Sequence, residues 1–129
     1  MTPEAAIHVA LITRAETLSF DLVYPAITDD RPDGEYVEIR HLPNSSRRLE
    51  IGPERLHRMG ILQATLCGVP GQHEAVYIEK AGQIAATFGR SRLPTVDSVT
   101  ITIERADIAQ GFADGKHWRV PVSVYYKQI

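Results

Sequence analysis

The sequence predicts an α+β fold, a mostly antiparallel sheet of four to five strands with two helices packed on it and long hairpin arms. Two segments, 2–18 and 72–88, have hydrophobic residues at helical spacing, which is typical of helices that bury one face. The end of the chain has hydrophobic residues at every second position, the period of a strand. These residues are Trp118, Val120, Val122, Val124 and Tyr126. Helices that alternate with pairs of strands indicate a sheet covered by helices on one face.

The first helix is predicted to begin at Thr2, Pro3 and Glu4. Threonine is a good N-cap residue, proline suits the first helical position, and glutamate suits the positive end of the helix dipole. The side chains predicted to be buried are Ala6, Ile7, Ala10, Leu11 and Leu18. A short extended segment should follow at 20–24, and Pro25 should end it.

The segment 28–35 is a polar turn with four acidic residues and one arginine. It contains Asp29, Asp30 and Asp33, which we predict to be contact residues. A solvated loop and a site for a hard cation both fit this composition, although the spacing matches no calcium loop.

A strand is predicted at 36–42, and Pro43 ends it. A long strand at 55–69 follows, with a bend at Gly60. Between them, an arm near 43–56 and the residues just beyond it carry the only local concentration of basic residues. These predicted contact residues are Arg47, Arg48, Arg55 and Arg58. The arm is either an exposed hairpin or a contact surface for an acidic partner or for passing DNA, and its length favours function.

The second helix is predicted over 72–88, and Gly89 should end it. A strand at 96–105 and an arm near 105–117 should follow. The turn signal Asp114-Gly115 then leads into the last strand. Pro121 has no backbone N–H, so it predicts a sheet edge or a locally unpaired position within that strand.

Composition predicts a single domain that covers residues 1–129. The chain is 43% hydrophobic and 23% charged, with a formal net charge of −2. This charge gives no strong electrostatic attraction for DNA or for anionic membranes. The one cysteine, Cys67, cannot form an internal disulfide, and its position within a strand favours a packed thiol. No run of about 18 apolar residues is present, so we expect no membrane span.

No sequence motif indicates catalysis. The sequence has no phosphate-binding loop, no nucleophile elbow and no cysteine or histidine pair at zinc spacing. His73 and Glu74 have no second histidine one turn later, so they do not form a zinc-protease motif. We therefore expect no catalytic residues, no cofactor and no metal ion.

Several segments together resemble a known family. They are 2–11, the Tyr24-Pro25 pair, 36–39, 58–63, 83–88, 111–115 and 118–126. In this order and at this length the chain resembles the tail-terminator, or tail-completion, proteins of long-tailed bacteriophages and phage-like elements, including gene transfer agents. The resemblance covers nearly the whole chain, and the ending WRVPVS at 118–123 is its most specific part.

The resemblance implies a structural virion protein without enzymatic activity. Its members are expected to form a homohexameric ring on the head-proximal end of the tail tube. The implied partners are other copies of the chain, the major tail tube protein and the head-completion (stopper) protein, and genomic DNA passes through the lumen without sequence-specific binding. The implied location is the tail or neck of the virion, after assembly in the bacterial cytoplasm.

Three other functions remain open at this stage. The chain could be another component of the head–tail connector, a nucleic-acid-binding α+β module, or a small enzyme. DNA binding with a steep salt dependence would indicate the nucleic-acid-binding module. A pocket that holds acids with shifted pKa values would indicate the enzyme.

Overall fold

The structure is a computed structural model, and it describes residues 1–43, 47–48 and 56–128, with only the backbone described at 47–48 and 56–57. The helices are α1 (Pro3–Ala15) and α2 (Glu74–Phe88). The strands are β1 (Leu22–Val23), β2 (Tyr36–Pro43), β3 (Arg47–Arg48), β4 (Leu56–His57), β5 (Met59–Gly68), β6 (Ile101–Ile108), β7 (Phe112–Asp114) and β8 (His117–Gln128).

The main sheet has six strands in the order β1-β2-β5-β8-β6, with β7 also paired to β8. Only β1 and β2 are parallel, and the other pairs are antiparallel. A second sheet of two strands, β3 and β4, extends the β2–β5 hairpin. The α+β prediction is confirmed, and the described sheet has one strand more than the upper limit predicted.

Both helices begin and end where local chemistry places them. Thr2 Oγ1 accepts a hydrogen bond from the amide of Ala5 at 3.2 Å, and the ring of His73 caps α2 in the same way by accepting from Ala75. Gly89, at a φ of 54°, ends α2, because a left-handed backbone favours glycine. Thr2 and Gly89 are confirmed as predicted, and the capping role of His73 was not predicted.

The core lies between the helices and one face of the sheet. Both helices contribute their inward-facing side chains, and β2, β5 and β8 contribute every second residue. The sheet contribution includes Val37, Ile39, Leu62, Ala64, Leu66, Val120, Val122, Val124 and Tyr126. The predicted alternation of the last strand is confirmed. Among the described residues, no helix packs on the opposite face of the sheet, where a small buried hydrophobic cluster consists of Val23, Tyr36 and Cys67.

The prediction that Pro121 marks a sheet edge is wrong, because β8 is an interior strand between β5 and β6. The alternative, a locally unpaired position, is correct. Pro121 O accepts a hydrogen bond from Ala109 at 2.9 Å, so its missing N–H also lies on the β6 side. On that side, the pairing of β8 with β6 ends at Val122 and its pairing with β7 begins at Arg119, so the ladder is interrupted at Pro121. The proline therefore disrupts no bond of an intact ladder.

The strand predicted at 96–105 begins later, at Ile101. Val96 and Val99 exchange backbone hydrogen bonds of 2.8 and 2.9 Å, and Asp97 and Ser98 between them have φ values of 47° and 68°. Two left-handed residues in succession are the signature of a tight hairpin turn. Because glycine is absent, the sequence did not signal this turn.

The structure describes all of the predicted arm near 105–117 and only part of the predicted arm near 43–56. The arm near 43–56 includes the paired strands β3 and β4, and 44–46 and 49–55 lie outside the described residues. The segment 105–117 is paired along β8 through β6 and β7, and it turns back at Gly115, where φ is 59°.

Candidate interaction surfaces

The acidic segment lies beside the turn that joins β7 to β8. Asp33 Oδ1 is 3.5 Å from Lys116 Nζ, and both side chains are exposed. His117 Nε2 lies 2.9 Å from the carbonyl oxygen of Gly34. Asp29 and Asp30 are exposed on the same segment, and Thr28 Oγ1 accepts a hydrogen bond from the Asp30 amide. This segment therefore presents exposed acidic side chains at one end of the sheet.

Arg58 lies at the other end of the sheet, just before β5 begins. The backbones of Arg47 and Arg48 pair with β4, and Arg55 lies outside the described residues. Arg58 turns back onto its own domain, where its Nε donates to Glu4 Oε1 at 3.0 Å and its Nη1 donates to Gln128 at 3.2 Å. The structure therefore does not bring Arg58 together with the acidic segment.

A buried carboxylate holds three arginines on the helix-free face of the sheet. Glu38 is 4% exposed, and its oxygens lie 2.7 Å from Arg40, 3.2 Å from Arg119 and 3.5 Å from Arg31. Arg119 also contacts Asp114 at 3.4 Å. The arginines come from the acidic segment, from β2 and from β8. The cluster thus fixes the segment that bears Arg31 against the sheet.

The arginines also determine the protonation state of Glu38. Burial alone favours the neutral acid, but the hydrogen bond from Arg40 and the positive charges of Arg119 and Arg40 outweigh it and lower the pKa of Glu38. The carboxylate is consequently ionised at neutral pH. The sequence did not indicate this cluster, because its members come from three separate segments.

A cleft of about 490 Å³ lies between α1 and the outer side of β2. Its wall includes two stacked histidine rings, His8 and His41, with their Nδ1 atoms 3.1 Å apart. His41 Nε2 lies 2.6 Å from the hydroxyl of Tyr126. Burial, and secondarily the charge of His8, lowers the pKa of His41 to about 4. A neutral His41 satisfies both contacts with one donor and one acceptor nitrogen.

Exposed hydrophobic side chains are concentrated at the two edges of the main sheet. Ile27, 79% exposed, and Leu42 line the cleft beside β2. At the opposite edge, Ile78 and Ile108 line a groove of about 320 Å³ between α2 and the β6–β7 segment, and Phe112 is exposed nearby. Exposed apolar groups that cluster beside a groove are typical of protein contact sites. We did not single out either surface from the sequence.

The described residues include one cysteine and no candidate metal-binding group. No group of three or more His, Cys, Asp or Glu side chains among them is placed to hold a metal ion. Cys67 is fully buried, and burial raises the pKa of its thiol, which disfavours the reactive thiolate. Within the same residues, no helix is long and apolar enough to cross a membrane.

Comparison with known families decides the classification. The sequence matches the family described as phage tail terminator protein over residues 6–126. The chain belongs to the phage tail terminator family. This membership assigns a structural role in the phage tail, as a virion tail component.

A similar solved structure, described only by a sequence identifier, supports the fold of this tail terminator family member. It matches 98% of this chain and 92% of its own chain, with a TM-score of 0.71 and 15% identity. At this identity the match shows a shared fold alone. Among curated proteins, no match was found.

Proposed function

We propose that the chain forms a homohexameric ring that caps the head-proximal end of the tail tube. The ring ends tube polymerisation and provides the surface to which the head-completion protein joins. The observation that carries this proposal is the family match over residues 6–126. This function requires no catalysis, and the proposal includes none.

The arrangement of surfaces supports a ring. In a closed ring of identical subunits, each subunit contacts its two neighbours through two different, complementary faces. The sheet has an exposed hydrophobic surface at each of its two edges. An interface of this kind buries apolar groups at its centre and leaves polar groups at its rim.

The charged ends of the sheet are the proposed contacts for partners above and below the ring. Asp29, Asp30 and Asp33 lie at one end of the strands. Arg58 lies at the other end, and Arg47, Arg48 and Arg55 belong to the arm that precedes it in sequence, with Arg55 outside the described residues. We propose the tail tube protein and the head-completion protein as the partners. The net charge of −2 suits a lumen that DNA crosses without being held.

The test is to mix the purified chain with polymerising tail tube protein and to determine its oligomeric state and its position on the tubes. Rings at one end of each tube support the proposal. A protein that binds the head-completion protein and never a tube is instead another connector component. A monomer that joins neither partner contradicts both functions.

A further inference from the structure

We propose that neighbouring copies of the chain join their sheets edge to edge, with β2 of one copy antiparallel to β6 of the next. The proposal rests on the ring proposed above and specifies which surfaces close it. Its partner is therefore a second copy of this chain, and its central polar contact is Arg40 of one copy with Asp107 of the other.

Both edges have strand positions without a neighbour in the described part of the chain. β1 pairs with β2 only at Val37 and Glu38, which leaves the outer side of 40–43 without a paired strand. At the opposite edge, the segment 91–93 bonds to β6 only at Ile101 and Ile103, which leaves the outer side of 104–108 without one. Unpaired strand edges are templates for pairing with another chain.

The strand directions suit this junction. β2, β5, β8 and β6 are successively antiparallel, so β2 and β6 run in opposite directions. A second copy in the same orientation therefore places its β6 antiparallel to β2 of the first. The junction continues the alternation of the sheet, and β-strand addition of this kind is a recurring mode of protein association.

The register places opposite charges at the two edges. Arg40 pairs with Gln63, Gln63 with Ser123, and Ser123 with Asp107. These four residues form one row across the sheet on the helix-free face. Arg40 is 52% and Asp107 54% exposed, although each has a partner within the chain. In a continued sheet the row joins Arg40 directly to Asp107 of the next copy, and opposite charges across strands stabilise pairing.

The shapes of the two edges also correspond. β1 lies outside β2 beside Val37 and Glu38 and forms a short projection of that edge. Across the sheet, the register pairs these two positions through β5 with Val120 and Pro121 of β8. At those rows the opposite edge is interrupted between β6 and β7. The projecting strand of one copy therefore faces the interruption in the edge of the next.

The apolar surfaces lie beside the same strands. The cleft with Ile27 and Leu42 borders β2, and the groove with Ile78 and Ile108 borders the end of β6. The cleft is lined by the exposed charges Arg40 and Glu16, and the groove by the exposed charge Glu74, so Arg40 and Glu74 can approach each other at the junction. Joining the edges would bury both hydrophobic surfaces against each other and leave the charged ends of the sheet free.

The experiment is disulfide trapping with the double variant Arg40→Cys/Asp107→Cys in the full chain, assembled with or without tube protein. Within one chain the two positions are three strand spacings apart, about 14 Å, whereas a disulfide needs Cα atoms within about 7 Å. A bond between them can therefore form only between copies. We expect mild oxidation to give a ladder of covalently linked oligomers on a non-reducing gel. The native thiol Cys67 is fully buried and stays in place.

The matched control is Arg40→Cys/Gln83→Cys, which moves the second thiol to an exposed position on α2. We expect this control and each single variant to yield no ladder. Rings that form normally but give no ladder with Arg40→Cys/Asp107→Cys would overturn the edge-to-edge contact and leave the ring itself intact. Absence of any assembly by the unmodified chain, with tube protein present, would instead overturn the proposed function.

A second variant tests the same contact without cysteines, in case the two cysteine substitutions disturb assembly. Asp107→Lys places two cations opposite each other at the proposed contact, so we expect at least a tenfold loss of assembled protein. Unchanged assembly in Asp107→Lys would contradict the contact.

Discussion

At the scale of single residues, Glu38 is a buried charge that three arginines contact. Its carboxylate is almost completely buried and contacts Arg31, Arg40 and Arg119. Removing a charge from water is costly, and the arginines offset that cost only while the carboxylate is ionised. Because Arg31 lies in the acidic segment, Glu38 links that segment to the sheet. Glu38 therefore contributes to the position of the predicted contact residues nearby, together with the contacts of the segment with Lys116 and His117.

Replacing Glu38 by glutamine should lower the free energy of unfolding by about 2 kcal/mol, because the amide has similar size and no charge to balance the arginines. Urea denaturation at neutral pH measures this change. The control is Asp33→Asn, which removes a fully exposed charge and should change stability by less than about 0.5 kcal/mol. The pKa of Glu38 is lowered, so its contribution is lost as the pH falls through that lowered value. Equal stability of Glu38→Gln and the unmodified chain would contradict this role.

His41 should make the fold sensitive to mild acid. Its pKa is about 4 in the folded chain and about 6.5 when unperturbed, so between these values the unfolded chain binds more protons. Stability should therefore fall as the pH decreases from 6.5 to 4. The charged groups around the ring are His8, Glu16 and Arg40, which line the same cleft.

The variant His41→Gln tests this prediction, because glutamine can still hydrogen-bond to Tyr126 and does not titrate. The loss of stability between pH 6.5 and 4 should be smaller in the variant by about 1–2 kcal/mol, allowing for partial solvation of the ring. Denaturation curves across this range measure the difference. The same pH dependence in both proteins would rule out His41 as its source.

At the scale of elements, the contact between α2 and the sheet depends on a close approach at the end of β5. A Cβ atom on Gly68 would lie 2.7 Å from the ring of Tyr77, and Tyr77 is buried and donates its hydroxyl hydrogen to Val69 O at 2.5 Å. The glycine therefore allows the tyrosine of α2 to lie flat against the strand. Gly82, in contrast, has nothing within 4 Å of such a Cβ.

These two glycines give opposite predictions for the same substitution. Gly68→Ala should destabilise the fold by about 1–3 kcal/mol, because the tyrosine ring must move. Gly82→Ala should stabilise it by about 0.5–1 kcal/mol, because alanine favours a helix interior. Thermal unfolding of both variants measures the signs. A stabilising Gly68→Ala would contradict the packing of α2 on β5.

The elements that depend on local pattern were predicted from sequence, and those that depend on distant pairing were not. The alternation from Trp118 to Tyr126 identifies its strand, because a period of two needs no partner to be recognised. Whether Pro121 lies at an edge depends on the pairing of β8 with β5, which is distant in sequence. The Glu38 cluster likewise unites residues from three separate segments. Asp97 and Ser98 were missed because they adopt a turn that glycine usually marks.

At the scale of the whole molecule, the sheet has two kinds of free surface. Its edges carry hydrophobic side chains and unpaired strand positions, and its ends carry Asp29, Asp30 and Asp33 on one side and Arg58 on the other. We propose that the edges join copies of the chain into a ring and that the ends contact the tube and the head-completion protein. On this account the charged residues at the ends of the sheet are dispensable for ring closure, which uses Arg40 and Asp107 at the edges. The same end residues are necessary for contact with the tube and the head-completion protein.

Electron microscopy of tube ends tests the central claim most directly. Purified tail tube protein is polymerised with and without the chain, and tube lengths and end structures are compared. The account predicts that the chain stops elongation and appears as a six-fold ring at one end of each tube. Tubes that elongate equally in its presence, with no additional density at either end, would contradict it.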